Sequence, residues 1–288
     1  MYKIAIIGCE NSHANIFIDF VREGRVKDIE FVGVYSIEPE AARAVSEKYG
    51  IPKMTDPHEL VGKVDGVIVT ARDGKYHYSY AKPYLDTGIP AFIDKPVTVS
   101  EDDAVLLAEA LTENKTRFTG GSCLMYAPYI KELSRDVKDG KYGKVFSGSF
   151  RAPMDYESVY SGFMFYAEHL VTMACEVFGY DPISVYAKRR DNILTATLRY
   201  ESRDVTLEYV DKNYTYYASV SAEGGVFGKT FDLGDAFLSE FMAFCDVLYG
   251  NAPSLTVERL TAPVFILNAI KRSVESGKEE CVRTLREA

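Results

Sequence analysis

The first 120 residues alternate between short apolar runs and longer amphipathic stretches. The apolar runs have the length and composition of buried strands and cover residues 3–7, 29–35, 66–70 and 89–93. The amphipathic stretches predict helices over residues 12–22, 39–49, 56–61, 75–87 and 100–112. Strands and helices that alternate with short connections predict a parallel sheet with right-handed crossovers. We therefore expect an α/β domain with a doubly wound parallel sheet at residues 1–120.

Residues 121–288 follow a different pattern. Helices are predicted over residues 127–138, 161–178, 235–249 and 256–275. Strands are predicted over residues 144–151, 183–189, 193–200, 204–211, 214–221 and 226–231. Apolar side chains fall on every second residue, as in Leu194, Ala196 and Leu198, which indicates a sheet with one covered face. This half is expected to form an α+β domain with an open antiparallel sheet.

Composition narrows the classes of partner. The chain has 288 residues and a net charge of −9, which argues against nucleic acid and anionic membrane surfaces and leaves a small ligand. Apolar runs stay below the roughly 18 residues that a spanning helix needs. The first residues enter a strand directly, so we expect no signal peptide. Five scattered cysteines favour reduced thiols in the cytoplasm and no metal site.

The turn after the first predicted strand holds candidate cofactor residues. Gly8 begins a dinucleotide-type turn, but Glu10 and His13 occupy the second and third glycine positions of G-x-G-x-x-G. A Glu10 carboxylate near a pyrophosphate would cost about 4 kcal/mol per charge pair at ~4 Å and an effective dielectric of ~20. Glu10 must therefore swing away, or the cofactor must sit further out, or no dinucleotide binds. Asn11 and Ser12 remain good helix caps beside an anion site. We predict a modified site with weakened or redirected cofactor binding, in which His13 either points into the ligand cleft or packs at the helix start.

Two further loops carry chemistry at the carboxyl ends of predicted strands, where ligands of doubly wound sheets bind. Lys95 follows a buried strand in "AFIDKPVTVS", and Pro96 biases it toward an extended conformation. It is either a proton-exchanging group for a substrate hydroxyl or a surface lysine of a turn. Arg72, Lys75 and His77 in "ARDGKYH" either hold an anionic substrate group or form a solvated turn.

Three motifs then occur in the order of the glucose–fructose oxidoreductase / inositol dehydrogenase family, also called Gfo/Idh/MocA. They are Gly8, "IDKP" and "EHLVTMACEVFG" (168–179). The stretch "VDGVIVTARDGKYH" (64–77) resembles the family's fourth strand, and the resemblance extends over nearly the whole chain. It implies a Rossmann domain followed by a domain with an open antiparallel sheet. It also implies hydride transfer between a nicotinamide and a sugar or polyol hydroxyl, in a homo-oligomer (dimer or tetramer).

The resemblance assigns roles residue by residue. Lys95 matches the lysine of the family's E-K-P motif, with Asp94 where the family has Glu. His169 matches the substrate-binding histidine, and Tyr166 shares its helix face three residues earlier. A lone histidine on an apolar helix can instead be a core residue. We expect Arg72, His77 and Tyr166 to bind substrate. The residues expected to bind the cofactor are Gly8, Glu10, Asn11, Ser12, His13, Ser36, Thr70, Asp94 and Lys95.

Departures from the family pattern are equally specific. Phe165 stands four residues before the histidine, where family members with the full catalytic set carry Asp, and Thr172 stands three residues after it, where Asp is common. The family's N-x-R becomes the run Cys123, Leu124 and Met125. Ser36 replaces the acid that holds the ribose of NAD. Ser36, with Arg43 approaching, suits the 2′-phosphate of NADP, which is slightly favoured; otherwise Ser36 is only a turn residue.

The sequence thus predicts an NAD(P)-dependent oxidoreductase acting on a sugar-like or polyol hydroxyl. Lys95 would take or relay the hydroxyl proton, and His169 would orient the substrate. The alternative is a catalytically inactive family member that serves as a ligand-binding or regulatory protein, which Glu10, Met125 and Phe165 favour. A third hypothesis is cofactor-independent lyase or isomerase chemistry by Lys95 and His169 alone.

Overall fold

The computed structural model describes residues 1–287, which divide into two compact units. The first unit comprises Met1–Gly121 together with Phe237–Leu260. The second comprises Ser122–Ala236 and the residues from Thr261 onward. The chain therefore returns to the first unit late in the sequence, whereas the sequence predicted one continuous second domain from residue 121.

The elements of residues 1–121 alternate as the pattern predicts. In chain order they are β1 (Tyr2–Ile7), α1 (Ser12–Arg22), β2 (Ile29–Tyr35), α2 (Pro39–Tyr49), β3 (Gly66–Val69), α3 (His77–Leu85), β4 (Ala91–Asp94), α4 (Glu101–Glu113) and β5 (Phe118–Gly121). A 3₁₀ turn over Gly74–Tyr76 precedes α3.

The remaining elements include seven strands. In chain order they are α5 (Pro128–Lys138), β6 (Val145–Met154), α6 (Met164–Phe178), β7 (Ser184–Arg190), β8 (Ile193–Tyr200), β9 (Arg203–Asp211), β10 (Tyr216–Ala222), β11 (Gly225–Phe231), α7 (Ala236–Tyr249), α8 (Val257–Ser276) and β12 (Glu280–Cys281).

The sheet of the first unit is parallel, with the order β2-β1-β3-β4-β5. A single parallel bridge joins Val34 to Lys53 beyond β2. With that bridge counted as a reduced strand, the order is the 3-2-1-4-5-6 of dinucleotide-binding sheets. The stretch that resembles the family's fourth strand is accordingly β3 here. The order reverses between β1 and β3, and the crevice at their carboxyl ends is where ligands of such sheets bind.

Aromatic packing explains why α7 belongs to the first unit. Phe17 of α1 is fully buried, and its ring stacks on that of Phe241 with centroids 4.8 Å apart. Phe92 of β4 meets the Phe17 ring edge-on at 5.5 Å. Burying side chains of this size stabilises a fold by about 1.5–3 kcal/mol each. The apolar face of α7 therefore completes the core over α1 and β4.

Several predicted elements of this unit need correction. The predicted helix over residues 56–61 is wrong, because the segment forms turns in which Asp56 accepts a hydrogen bond from the His58 N–H at 2.8 Å. The strand β5 was not predicted, because its "FTGG" sequence is short and half glycine. Helices over residues 12–22 and 39–49 are confirmed to the residue.

The second unit contains a seven-stranded sheet of order β11-β10-β6-β9-β8-β7-β12. Its neighbours are antiparallel except β6 and β9, which run parallel, so the sheet is mixed and mostly antiparallel. Leu194, Ala196 and Leu198 are buried as predicted. Gly148 admits the Phe178 ring of α6, because a Cβ at Gly148 would lie 2.4 Å from that ring. This contact packs α6 closely against the covered face.

Candidate functional site

Gly8 and Thr70 join the carboxyl ends of β1 and β3. Gly8 has a φ of +98°, and a Cβ there would lie 2.1 Å from the Ala71 nitrogen. The Thr70 hydroxyl donates to the Gly8 carbonyl at 3.1 Å, and its N–H donates to the Ile7 carbonyl at 2.8 Å. The close approach of the two loops thus requires glycine at residue 8 and uses Thr70 to fasten the turn.

The N-terminus of α1 is capped as the sequence predicts. The Asn11 Oδ1 accepts a hydrogen bond from the His13 N–H at 3.2 Å. Ser12, the first helical residue, is exposed, whereas Asn11 and His13 are buried. An exposed hydroxyl at a helix N-terminus suits a phosphate, because the helix dipole and backbone N–H groups also favour an anion there.

Asp94 brings four of the predicted site residues together. Its Oδ1 accepts the Lys95 N–H at 2.7 Å, and its Oδ2 accepts the Asn11 Nδ2–H at 3.2 Å. The His13 Nδ1 lies 2.7 Å from the same Oδ2. Asp94 is fully buried, and burial alone would raise its pKa. The charge interaction and hydrogen bond with His13, together with the nearby Lys95, outweigh that effect, so the pKa of Asp94 is lowered.

His13 combines the two alternatives that the sequence left open. Its ring is 4% exposed and packs edge-on against the Phe237 ring, with centroids 4.9 Å apart. The same ring pairs with Asp94, the residue immediately before Lys95. His13 therefore packs in the core through its ring and contacts the end of β4 through its Nδ1.

Glu10 turns toward the ends of β2 and β3. Its Oε2 accepts the Ser36 hydroxyl at 2.7 Å, and its Oε1 accepts the Arg72 N–H at 3.1 Å. The side chain is 8% exposed. The sequence left open whether this carboxylate faces a pyrophosphate or turns away from it; in the structure two donors, at the ends of β2 and β3, hold it.

Ser36 and Arg43 are also engaged with protein groups. The Ser36 hydroxyl, besides donating to Glu10, accepts the Glu38 N–H at 2.9 Å. The Arg43 guanidinium pairs with Glu40 and lies 3.9 Å from a Glu47 oxygen on its own helix. The arrangement that suggested a 2′-phosphate site therefore directs Ser36 toward a carboxylate.

Lys95 and His77 are buried at the edge of the sheet. Lys95 is 4% exposed and precedes a cis bond to Pro96, so the alternative of a surface lysine is wrong. His77 is fully buried, and its Nε2 lies 2.8 Å from the Ala71 carbonyl. Burial lowers the pKa of His77 despite the nearby Asp94. The alternative of a solvated turn is therefore also wrong at His77. Its buried ring contacts the Ala71 carbonyl in the loop after β3.

His169 and Tyr166 lie side by side on α6 in the second unit. Their rings meet edge-on with centroids 5.2 Å apart, and the Tyr214 ring lies 6.1 Å from that of Tyr166. His169 is 5% exposed. Burial raises the pKa of Tyr166, which keeps its hydroxyl protonated.

Sequence reasoning missed Ser122, the partner of His169. The Ser122 Oγ lies 2.7 Å from the His169 Nδ1 and accepts the Leu124 N–H at 3.2 Å. The imidazole tautomer decides which of the two atoms donates, and in either tautomer this contact holds Nδ1 and leaves Nε2 for another partner. The available signal was a serine at the cap position of the 3₁₀ turn over Cys123–Tyr126.

Aromatic rings surround the position at which the family has Asp. The Phe165 ring lies 5.3 Å from that of Tyr160 and 5.6 Å from that of Tyr166. Thr172, where a second Asp is common, is 1% exposed. His169 thus lies on a helix beside aromatic side chains, whereas the family pattern places carboxylates at the positions of Phe165 and Thr172.

The described residues contain neither a group of metal-binding side chains nor a helix suited to cross a membrane. Within residues 1–287, no three His, Cys, Asp or Glu side chains are grouped so that they could hold a metal ion. No helix in the described part of the chain is long and apolar enough to cross a membrane.

The sequence of the first unit matches a known family. Residues 2–122 match the Gfo/Idh/MocA "Oxidoreductase family, NAD-binding Rossmann fold". Inositol 2-dehydrogenase of Burkholderia cenocepacia is 28% identical over 148 residues, which are 49% of this chain and 42% of that protein. Glucose-6-phosphate 3-dehydrogenase of Bacillus subtilis is 25% identical over 150 residues, 51% of this chain and 41% of that protein. The family match is therefore confined to residues 2–122, and the matched region spans less than half of these relatives.

The structural likeness covers both units. Scyllo-inositol dehydrogenase from Lactobacillus casei, solved with bound NAD(H) and scyllo-inositol, has a TM-score of 0.86 to this chain at 14% identity. The comparison covers 98% of this chain and 99% of that chain. At this identity the likeness establishes the fold, and it confirms the predicted Rossmann sheet followed by an α+β fold; the sheet predicted to be antiparallel is mixed, because β6 and β9 run parallel.

Proposed function

We propose that the protein is an NAD(P)-dependent oxidoreductase that transfers a hydride between a nicotinamide and a sugar-like or polyol hydroxyl. The observation that carries this proposal is the Asp94 cluster. It ties Asn11 and His13 of the first turn to the backbone of Lys95 at the ligand-binding edge of the sheet. A buried lysine held at this edge suits proton exchange with an alcohol.

The residues of the first unit fit a dinucleotide. Gly8 allows the close turn, and Ser12 with the N-terminus of α1 offers an anion site. Glu10, the charge that argued against a pyrophosphate, is held by Ser36 and the Arg72 N–H. The bound nicotinamide would supply the hydride chemistry. His13 in place of the third glycine supports the proposal of weakened affinity.

Lys95 and His169 carry the proposed catalytic roles. Lys95 takes or returns the proton of the reacting hydroxyl while Asp94 fixes its main chain. His169, held at its Nδ1 by Ser122, uses its Nε2 for a hydrogen bond that orients the alcohol oxygen. Tyr166 and its neighbouring rings offer apolar surface to the C–H face of a sugar ring.

The choice between NAD and NADP is part of the proposal. The slight preference for NADP rested on Ser36 and Arg43, which contact Glu10 and Glu40 respectively. These contacts favour NAD instead. A homo-oligomer, dimer or tetramer, and a cytoplasmic location remain predictions from the sequence; light scattering tests the former.

The second candidate is a catalytically inactive ligand-binding or regulatory protein. The Phe165 ring, packed between Tyr160 and Tyr166, favours it because no carboxylate stands at that position. Such a protein binds the cofactor or a sugar without turnover.

A two-step experiment separates the candidates. NADH and NADPH are titrated by their own fluorescence, which is simple because the chain has no tryptophan. NAD⁺ and NADP⁺ reduction is then followed with inositols, hexoses and hexose phosphates. We expect cofactor binding and reduction with at least one polyol or sugar. Binding without reduction across the panel would favour the inactive protein, and no binding of either cofactor would reject the oxidoreductase.

A further inference from the structure

We propose that Glu10 supplies, from the first turn, the carboxylate that binds the adenosine ribose and selects NAD over NADP. This inference rests on the proposed function and specifies its cofactor. In dinucleotide-binding sheets that acid stands at the end of the second strand, where it accepts hydrogen bonds from the ribose hydroxyls. In this chain the position holds Ser36, directly after β2.

The Glu10 side chain crosses from the first turn to that position. Its Oε2 lies 2.7 Å from the Ser36 Oγ, so a carboxylate oxygen stands beside the residue that replaces the ribose acid. The Ser36 hydroxyl has one proton, and that proton is directed at Glu10. The same hydroxyl accepts the Glu38 N–H at 2.9 Å, which fixes its orientation. Ser36 therefore positions an acid and does not offer its proton to a phosphate.

The carboxylate retains capacity for a ligand. An ionised carboxylate has about four acceptor positions, and Ser36 and the Arg72 N–H take one at each Glu10 oxygen. The remaining positions can accept the ribose 2′- and 3′-hydroxyls. Because both oxygens are already held, little side-chain freedom is lost when the ribose binds.

Charge then discriminates between the two cofactors. The 2′-phosphate of NADP lacks the hydroxyl proton that Glu10 would accept and brings like charge against a carboxylate with 8% exposure. The Arg43 guanidinium of α2, a cation that could offset this repulsion, pairs with Glu40. The same Glu10 carboxylate thus accepts a hydrogen bond from the ribose 2′-hydroxyl of NAD and repels the 2′-phosphate of NADP.

The test measures dissociation constants of NADH and NADPH for the full chain. We expect the wild type to bind NADH at least about 10-fold more tightly than NADPH. This factor corresponds to the lower end of the contribution of a hydrogen bond to a charged group. Glu10→Gln should reduce the NADPH-to-NADH ratio of dissociation constants by about 10–100-fold, by weakening NADH and strengthening NADPH. Ser36→Ala keeps the carboxylate but loosens it, so NADH should weaken several-fold while NADPH stays poor.

Two controls keep the result interpretable. Glu113→Gln makes the same chemical change at an exposed residue at the end of α4 and should leave the ratio unchanged. Glu10→Asp retains the charge but withdraws it by one methylene; it should lose NADH affinity without gaining NADPH affinity. This variant decides the matter if circular dichroism shows that Glu10→Gln does not fold.

The outcomes separate this inference from the proposed function. Preference of the wild type for NADPH, or an unchanged ratio in folded Glu10→Gln, would overturn the role of Glu10 and leave the oxidoreductase intact. Loss of preference in Glu10→Asp equal to that in Glu10→Gln would also overturn it, because charge would then be irrelevant. Failure of the wild type to bind either cofactor would overturn both.

Discussion

Asp94→Asn should destabilise the first unit strongly. The carboxylate is fully buried and has partners on both oxygens, namely the Lys95 N–H, the Asn11 amide and His13. An amide of the same shape has a single acceptor oxygen, so its NH₂ must face one set of these groups. Removing one partner from a buried charge pair costs about 3–5 kcal/mol. At about 2–4 °C per kcal/mol, the Tm should fall by roughly 6–20 °C.

The pH dependence gives this prediction a second, independent signature. The pKa of Asp94 is lowered on folding, so its ionised form stabilises the native state. That contribution is fully present above the unfolded value of about 3.9 and is lost as the pH falls through the lower folded pKa. The stability gap between wild type and Asp94→Asn should therefore be constant near neutral pH and narrow below about pH 3.9.

Thermal unfolding by circular dichroism, from pH 7 down to pH 3, measures both effects. Asp86→Asn is the matched control, because Asp86 is an exposed carboxylate on the same unit that pairs with Lys82 at 2.6 Å and accepts the Asn114 amide at 3.3 Å. Exposed pairs of this kind contribute about 0–1 kcal/mol. A Tm for Asp94→Asn within a few degrees of wild type, or a gap that persists unchanged at pH 3, would refute the reasoning.

Three further variants test other parts of the site. Lys95→Met should lower turnover by about 10²–10⁴-fold with cofactor affinity within a few-fold, and near-normal turnover would remove Lys95 from proton transfer. Gly8→Ala places a Cβ 2.1 Å from the Ala71 nitrogen at a φ of +98°, so it should lower the free energy of unfolding by about 2–6 kcal/mol. A melting temperature equal to that of wild type would contradict the close approach of the two loops. Ser122→Ala removes the partner of the His169 Nδ1, so the nitrogen chemical shifts of His169 should change and KM for the alcohol should rise. Unchanged shifts would show that another group fixes the imidazole.

Local rules predicted most of the elements of the first unit. Helix α1 matches to the residue because its apolar spacing and Asn11 cap are both short-range features. The same rules failed where stability comes from distant partners. Strand β5 has two glycines in four residues and is a strand because it pairs with β4. The parallel pairing of β6 with β9 likewise depends on topology, which periodicity does not encode.

In the candidate site, too, features set by the local sequence were predictable and contacts between residues distant in the chain were not. The positions of Gly8 and Lys95 at strand ends were predictable, because the carboxyl ends of parallel strands carry ligand sites. The direction of Glu10 was not, since its partners Ser36 and Arg72 lie 26 and 62 residues away. The bond between Ser122 and His169 spans 47 residues. A buried polar side chain takes whatever donor the fold supplies, and a single sequence does not state which one.

The return of α7 to the first unit has a consequence for dissecting the protein. A fragment ending at Gly121 would leave Phe17 without the ring of Phe241 and Phe92 without the ring of Phe244, both of which come from Phe237–Leu260. Exposed aromatic surface of that kind favours aggregation. A cofactor-binding half that can be expressed alone would need the distant segment grafted back, for example through a short flexible linker after Gly121. Segments of the two units alternate along the chain, so the first unit cannot be completed until the residues through Leu260 have been synthesised.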